Sequence, residues 1–132
     1  DAARRGATPA PHGAFCWAQL LTRDVARARV FYNEVLGWRV DDFPQPDGLP
    51  SLIFAVAGAP VGGALQIPVD ADASSSWLPY VAVSDIRAHE RRARALGAST
   101  RRDVTELPGM GWFAVISDPL GANLALWQAL AS

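Results

Sequence analysis

Lysine is missing from this sequence: all twelve basic residues are arginine. That removes every mechanism resting on a Schiff-base or nucleophilic lysine. Cysteine occurs once, as Cys16, so the chain cannot close a disulfide on itself, as expected of a protein in a reducing cytoplasm. Histidine occurs twice, as His12 and His89, which leaves little for an imidazole-based metal centre. Charge of one sign is also lacking. Thirteen acids against twelve arginines give a net charge of −1 and no basic stripe, so no nucleic-acid partner is expected. No apolar run approaches the roughly 20 residues of a membrane span, so no membrane partner is expected either.

What the 132 residues do contain is a repeat. Cys16-Trp17-Ala18-Gln19-Leu20-Leu21-Thr22-Arg23-Asp24 is followed by an amphipathic stretch and Gly37. Trp77-Leu78-Pro79-Tyr80-Val81-Ala82-Val83-Ser84-Asp85 is followed by a second amphipathic stretch and Gly97. In each copy an apolar strand runs into an aspartate placed to cap a helix. Val25, Ala28, Phe31, Tyr32, Val35 and Leu36 recur at helical spacing, as do Ile86, His89, Ala93 and Leu96. Gly37 and Gly97 sit where left-handed helix stops belong. Short strands follow each helix. In the first half they cover Trp38 to Phe43, Leu52 to Val56 and Val61 to Ile67; in the second, Thr100 to Thr105, Trp112 to Ile116 and Asn123 to Gln128. The pattern predicts an α+β fold of two tandem βαβββ modules, with a curved mixed sheet around a cavity and helices outside. Residues 1–13 read as a flexible lead-in without a signal-peptide core. Residues 14–132 read as one domain: module 1 over 14–68, a linker over 69–76 and module 2 over 77–129.

Asp24, Phe31-Tyr32, Leu36-Gly37-Trp38, Val83-Ser84-Asp85 and Asp118-Pro119 with Gly121 resemble the vicinal oxygen chelate superfamily, over Phe15 to Gln128. That group includes glyoxalase I, bleomycin-resistance proteins and extradiol dioxygenases. Cys16-Trp17 and Pro108-Gly109-Met110-Gly111-Trp112-Phe113 are similar to its glyoxalase-like branch, in which the domain often occurs in tandem; this sequence holds one copy. The resemblance implies the architecture more strongly than the chemistry. It also implies a homodimer, since single-domain relatives commonly pair and some exchange halves.

Enzymatic members of that superfamily place metal ligands on the first and last strands of each half. Here the matching first-strand positions are Trp17 and Leu78. The last-strand position is Ala125 in the second half, and Gln66 or Ala64 in the first. At most one weak amide ligand survives, where a catalytic metal generally needs three or more. The expectation is therefore no metal and no other cofactor.

By alternation, Trp17, Gln19 and Leu21 should line the hollow on the first strand. Leu78, Tyr80 and Ala82 should do so on its counterpart, and Asn123, Ala125 and Trp127 on the last strand, with Phe54 and Trp112 as further lining. The candidate ligand-binding set is thus Trp17, Gln19, Leu21, Phe54, Leu78, Tyr80, Trp112, Asn123, Ala125 and Trp127. Such an aromatic surface with a few neutral polar groups suits a flat or hydrophobic small molecule; equally, the aromatics could fill the hollow themselves. Gln19 reads either as a ligand's hydrogen-bond partner or as a satisfied buried amide. His89 and Cys16 read as structural rather than catalytic. Asp103 and Glu106 read as solvent-exposed, and no inward pair of carboxylates is visible. The leading expectation is a metal-independent protein that sequesters an aromatic or hydrophobic metabolite or antibiotic. The alternatives are a metal-independent isomerase, lyase or cyclase using Gln19, Tyr80 or His89, a metal-dependent glyoxalase-like enzyme, and an interaction module with a filled core.

Overall fold

The structure is a computed structural model that describes residues 10–131. Residues 1–9, most of the expected lead-in, lie outside the described residues. The described chain forms two compact units, one over Ala18–Trp77 and one joining the stretch up to Trp17 to the chain from Leu78 onward. The elements are β1 (Phe15–Thr22), α1 (Val25–Leu36), β2 (Arg39–Asp42), β3 (Ser51–Val56), β4 (Ala59–Gln66), β5 (Ser76–Ala82), α2 (Ile86–Ala95), β6 (Ser99–Leu107), β7 (Gly111–Ser117) and β8 (Asn123–Ala129). This is the expected α+β order of two βαβββ modules. The strands of the first module run β2-β3-β4-β1 and those of the second β5-β8-β7-β6, each set a mixed sheet with one parallel pair, β1 with β4 and β5 with β8. No helix among the described residues is long and apolar enough to cross a membrane.

Each helix starts as the sequence predicts. Asp24 and Asp85 hold extended backbone conformations and accept hydrogen bonds from the N–H groups of Arg27 and Ala88, both at 3.1 Å. A second device repeats with them. The Gln66 Oε1 atom, at the end of β4, accepts the Val25 N–H at 3.0 Å; Gln128 Oε1, near the end of β8, accepts the Ile86 N–H at 2.8 Å. Both first turns are thus closed by an aspartate and a strand glutamine, which satisfies donors that a helix leaves orphaned. Asp24→Ala and Asp85→Ala are each expected to lower stability by about 1 kcal/mol in urea denaturation. The glutamine bonds hold the helices in either variant. Helix α1 ends on Gly37, whose φ of +70° is the predicted left-handed stop. In α2 the cap is Leu96, one residue before the predicted stop.

The core of the first unit forms where α1 lies on β1, β3 and β4. Val25 and Ala28 meet Leu20, Leu52, Phe54 and Ala64, with Tyr32, Trp38 and Val40 packed around them. Phe31, Val35 and Leu36, expected on the buried face of α1, are more than half exposed. The sheet covers only the stripe through Val25, Ala28 and Tyr32. In the second unit, Ile86 of α2 meets Ala114, Ile116 and Leu126, flanked by Val83, Ala93, Val104, Trp112 and Leu124. Glu90 of α2 is also buried there. It pairs with Arg94 at 2.9 Å and accepts a short hydrogen bond from the Thr100 hydroxyl.

Candidate functional site

Each core identifies the sheet face that its helix covers, and strand alternation then assigns the other face, open in the sense that no helix of its own unit covers it, although Leu78, Ala82 and Ala125 on it are buried. In the first unit, Leu20 faces α1, so Gln19 and Leu21 of β1 lie on the opposite face; Trp17, earlier on the strand and in the second unit, alternates with them. The register runs Gln19 to Gly63 to Ile53 to Asp41 across four strands. Gly63 matters in this row because a Cβ there would sit 3.0 Å from Gln19 Oε1 and 2.8 Å from the Leu52 carbonyl oxygen. The Gln19 amide therefore rests on the bare backbone of Gly63. Asp41 ends the row and pairs with Arg39 at 3.1 Å.

Phe54 does not belong to this face. It is 0% exposed and packs with Val25 and Ala28 under α1. Leu52 and Phe54 alternate with Ile53, and it is Ile53 that points away from the helix. Around Phe54 an aromatic cluster forms: Tyr32 stacks on Trp38 at 5.5 Å, and the Trp77 Nε1–H donates to the Tyr32 hydroxyl at 3.2 Å. Trp38 and Trp77 are thus structural.

In the second unit, two rows cross β5, β8, β7 and β6. Tyr80 pairs with Ala125, Ala125 with Val115, and Val115 with Arg102; beside them Ala82 pairs with Trp127, Trp127 with Phe113, and Phe113 with Thr105. Both rows lie on the face opposite α2, since Leu126, Ala114 and Ile116 face the helix. Tyr80, Ala125 and Trp127 therefore share one surface. Leu78, 7% exposed, alternates onto the same face, as does Asn123, which is exposed where β8 begins. Trp112 does not join them: it packs against the Ile86 cluster on the helix side. Its neighbour Phe113 takes the place on the open face. The Arg102 guanidinium lies 5.2 Å from the Phe113 ring centroid. Sequence reasoning passed over both Phe113 and Arg102.

Burial pushes the Tyr80 phenol above its usual range, the Arg102 charge pulls it back in part, and Cys16 raises it further. The phenol thus stays protonated through neutral pH and can donate a hydrogen bond. Burial also raises the Cys16 thiol, which keeps it a poor nucleophile. His89 Nδ1 lies 2.7 Å from the Asp85 carbonyl oxygen, and its ring sits 4.6 Å from that of His12. His12 in turn accepts the Ser84 N–H at 3.0 Å. Both imidazoles thus belong to the start of α2, on the other side of the unit's sheet from Tyr80. Asp118 is exposed, yet N–H groups of Ala122 and Leu120 hold its carboxyl below the usual range, a turn duty rather than a catalytic one.

The positions at which the superfamily holds a metal do not fit one. Trp17 and Leu78 offer no donor, Ala125 is a methyl group, and Ala64 is 0% exposed among the helix-side residues. Gln66 spends its amide on the backbone of Val25, Arg23 and Ile67. Among the described residues no three His, Cys, Asp or Glu side chains cluster in a ligating arrangement. A cleft of about 480 Å³ opens in the first unit between the start of α1 and the loop before β3. Its polar side chains are already engaged: Arg29 with Asp42 and the Val40 carbonyl, and Gln45 with Ser51.

Two capped βαβββ modules, each with its helix packed on one face of its own strands, define a class. Solved structures of methylmalonyl-CoA epimerases, members of the vicinal oxygen chelate superfamily, share this fold. The enzyme from Mycobacterium tuberculosis has a TM-score of 0.65 at 17% identity, covering 97% of this chain and 96% of its own. A Streptomyces coelicolor epimerase gives 0.67 at 14% identity, covering 92% of this chain and 100% of its own. The family model described as "Glyoxalase-like domain" matches residues 15–127, and the chain belongs to that family. Among its relatives is "Putative glyoxylase CFP32" of M. tuberculosis, 32% identical over 122 residues, covering 86% of this chain and 44% of the relative. "Anthracycline biosynthesis protein DnrV" of Streptomyces peucetius is 26% identical over 129 residues, covering 88% and 47%. The chain spans less than half the length of these relatives.

Proposed function

We propose that the chain binds a flat aromatic small molecule without a metal and holds it rather than transforming it. The observation that carries this reading is the open face of the second unit. Tyr80, Phe113 and Trp127 stand there around the buried Ala125, while the superfamily's ligand positions offer at most one amide, Gln66, already engaged by backbone. Aromatic faces favour stacked conjugated rings, and a neutral phenol supplies a directional hydrogen bond. Two relatives are named for anthracycline biosynthesis, and anthracyclines are fused-ring chromophores of this kind. Holding is favoured over turnover because the protonated Tyr80 is a poor base and neither histidine shares its face.

The test uses the whole chain after treatment with a chelator, titrated with the neutral fluorophore N-phenyl-1-naphthylamine. Saturable binding is expected without added metal, and Trp127→Ala should weaken it by about tenfold or more while circular dichroism stays native. No saturable binding by the parent chain, or binding only after a divalent metal is restored, would overturn the reading.

A further inference from the structure

The second unit's open face carries one charged group that the proposed function does not use. We propose that Arg102 makes this face a site for an aromatic organic anion, with the guanidinium holding a carboxylate or an ionised enol or phenol of the ligand. This rests on the reading that the face binds an aromatic molecule, and it adds the ligand's charge.

The placement of Arg102 is built by the backbone. Thr100 pairs with Ile116 and points toward α2, where it meets Glu90. Regular alternation would put Arg101 on the open face and turn Arg102 to the helix side. The register shifts between Thr100 and Arg102, so that Arg102 and not Arg101 lies opposite Val115. A second shift between Arg102 and Thr105 lets Val104 return to the helix-side core while Thr105 faces Phe113. Such bulges re-aim a side chain at the cost of a local disruption of the ladder. The two shifts in one strand bring Arg102 to the aromatic surface.

The surroundings of that cation suit an anion. Tyr80, Ala125, Val115 and Arg102 form one row across four strands spaced about 4.8 Å apart, so the two polar residues stand about 14 Å apart at the backbone. Between them lie the buried Ala125 and the half-buried Val115, and Phe113 and Trp127 stand along the next row. The guanidinium leans over Phe113, an attraction that holds it along the face. Its charge reaches Tyr80, where it offsets part of the effect of burial on the phenol. Among the described residues the ion pairs are Arg29–Asp42, Arg39–Asp41 and Arg94–Glu90, so no carboxylate of the described chain neutralises Arg102. A planar guanidinium is suited to two-point recognition of a carboxylate. A flat acid would lay its rings over Phe113 and Trp127 and direct its oxygen atoms to Arg102.

The experiment compares two probes built on the same rings: 1-anilinonaphthalene-8-sulfonate, an anion, and N-phenyl-1-naphthylamine, which lacks the sulfonate. Each is titrated into the parent chain, Arg102→Gln, Arg102→Lys and Arg101→Gln. The expected result is that Arg102→Gln weakens the anion by about tenfold or more and the neutral probe by less than about twofold. Arg102→Lys should keep part of the anion affinity, and Arg101→Gln should match the parent. Equal losses for the two probes in Arg102→Gln would overturn the inference, as would equal effects of Arg101→Gln and Arg102→Gln, or no effect of either. If the parent binds the anion through Arg102 and fails to bind the neutral probe, the inference stands and the expectation that aromatic stacking suffices without the charge falls.

Discussion

Phe54→Ala is expected to lower the free energy of unfolding by about 3–5 kcal/mol in urea denaturation, while probe affinity per folded molecule stays unchanged. The ring is wholly buried in the α1 core, with Tyr32 at 5.7 Å, Trp38 at 5.0 Å and Trp77 at 6.3 Å between ring centroids. Truncation removes the transfer free energy of the ring and leaves a void. Two indoles and a phenol ring are stiff, and the Trp77 Nε1–H bond to Tyr32 ties two of them together, so the void cannot close easily. The same side chain on the open face would behave in the opposite way, costing little stability and much affinity. A loss under about 1 kcal/mol together with weakened probe binding would therefore return Phe54 to the ligand surface and invalidate the assignment of faces in the first unit.

The reason Phe54 was misplaced shows what the sequence could and could not convey. Element order was legible because the repeat, the capping aspartates and the helical spacing are local signals, and local signals survive in one dimension. On β1, β5 and β8 alternation runs unbroken from a recognisable end, which is enough to put Gln19, Tyr80 and Trp127 on the face turned away from the helix. The strand Ser51–Val56 is apolar on both faces, so its composition gave no phase, and only the packing of Leu52 and Phe54 against Val25 and Ala28 sets it. Trp112 and Phe113 posed the same problem, two adjacent aromatics of which only one can face a ligand. Arg102 was hidden for a different reason. Its orientation depends on two register shifts, and a bulge leaves no reliable mark in a run such as Thr100-Arg101-Arg102-Asp103-Val104. A glycine inside the run would have hinted at one; there is none. The double role of Gln66 was equally out of reach, because its partner Val25 lies 41 residues away in the sequence.

Gly111→Ala is expected to lower stability by about 3 kcal/mol or more and to deprive the second unit of its open face. Gly111 opens β7 opposite Ala129, and a Cβ added there would lie 2.2 Å from the Gln128 carbonyl oxygen and 3.0 Å from the Ala129 Cα. Both obstacles are backbone. A flexible side chain could swing aside, but these atoms move only if β8 moves, and β8 is held on its other edge by β5 through the pairs from Tyr80–Ala125 to Ala82–Trp127. The overlap alone warrants about 1–3 kcal/mol by analogy with overpacked cores, and the positive φ of +155° adds strain. Gly109 provides the control within the same turn. Its φ is +79° but nothing lies within 4 Å of its would-be Cβ, so Gly109→Ala should cost only about 1–2 kcal/mol from conformation. Urea denaturation of the two variants separates steric from conformational cost, and equal losses would show that the approach of β7 to β8 is looser than 2.2 Å implies. The binding readout follows from the register. Gly111 fixes the phase that sends Phe113 to the open face and Trp112 to the core, so a ladder opened at Gly111 should release Phe113 from Trp127 and Arg102. Probe binding in Gly111→Ala should then fall even under conditions where circular dichroism still reports folded protein, whereas Gly109→Ala should bind as the parent does.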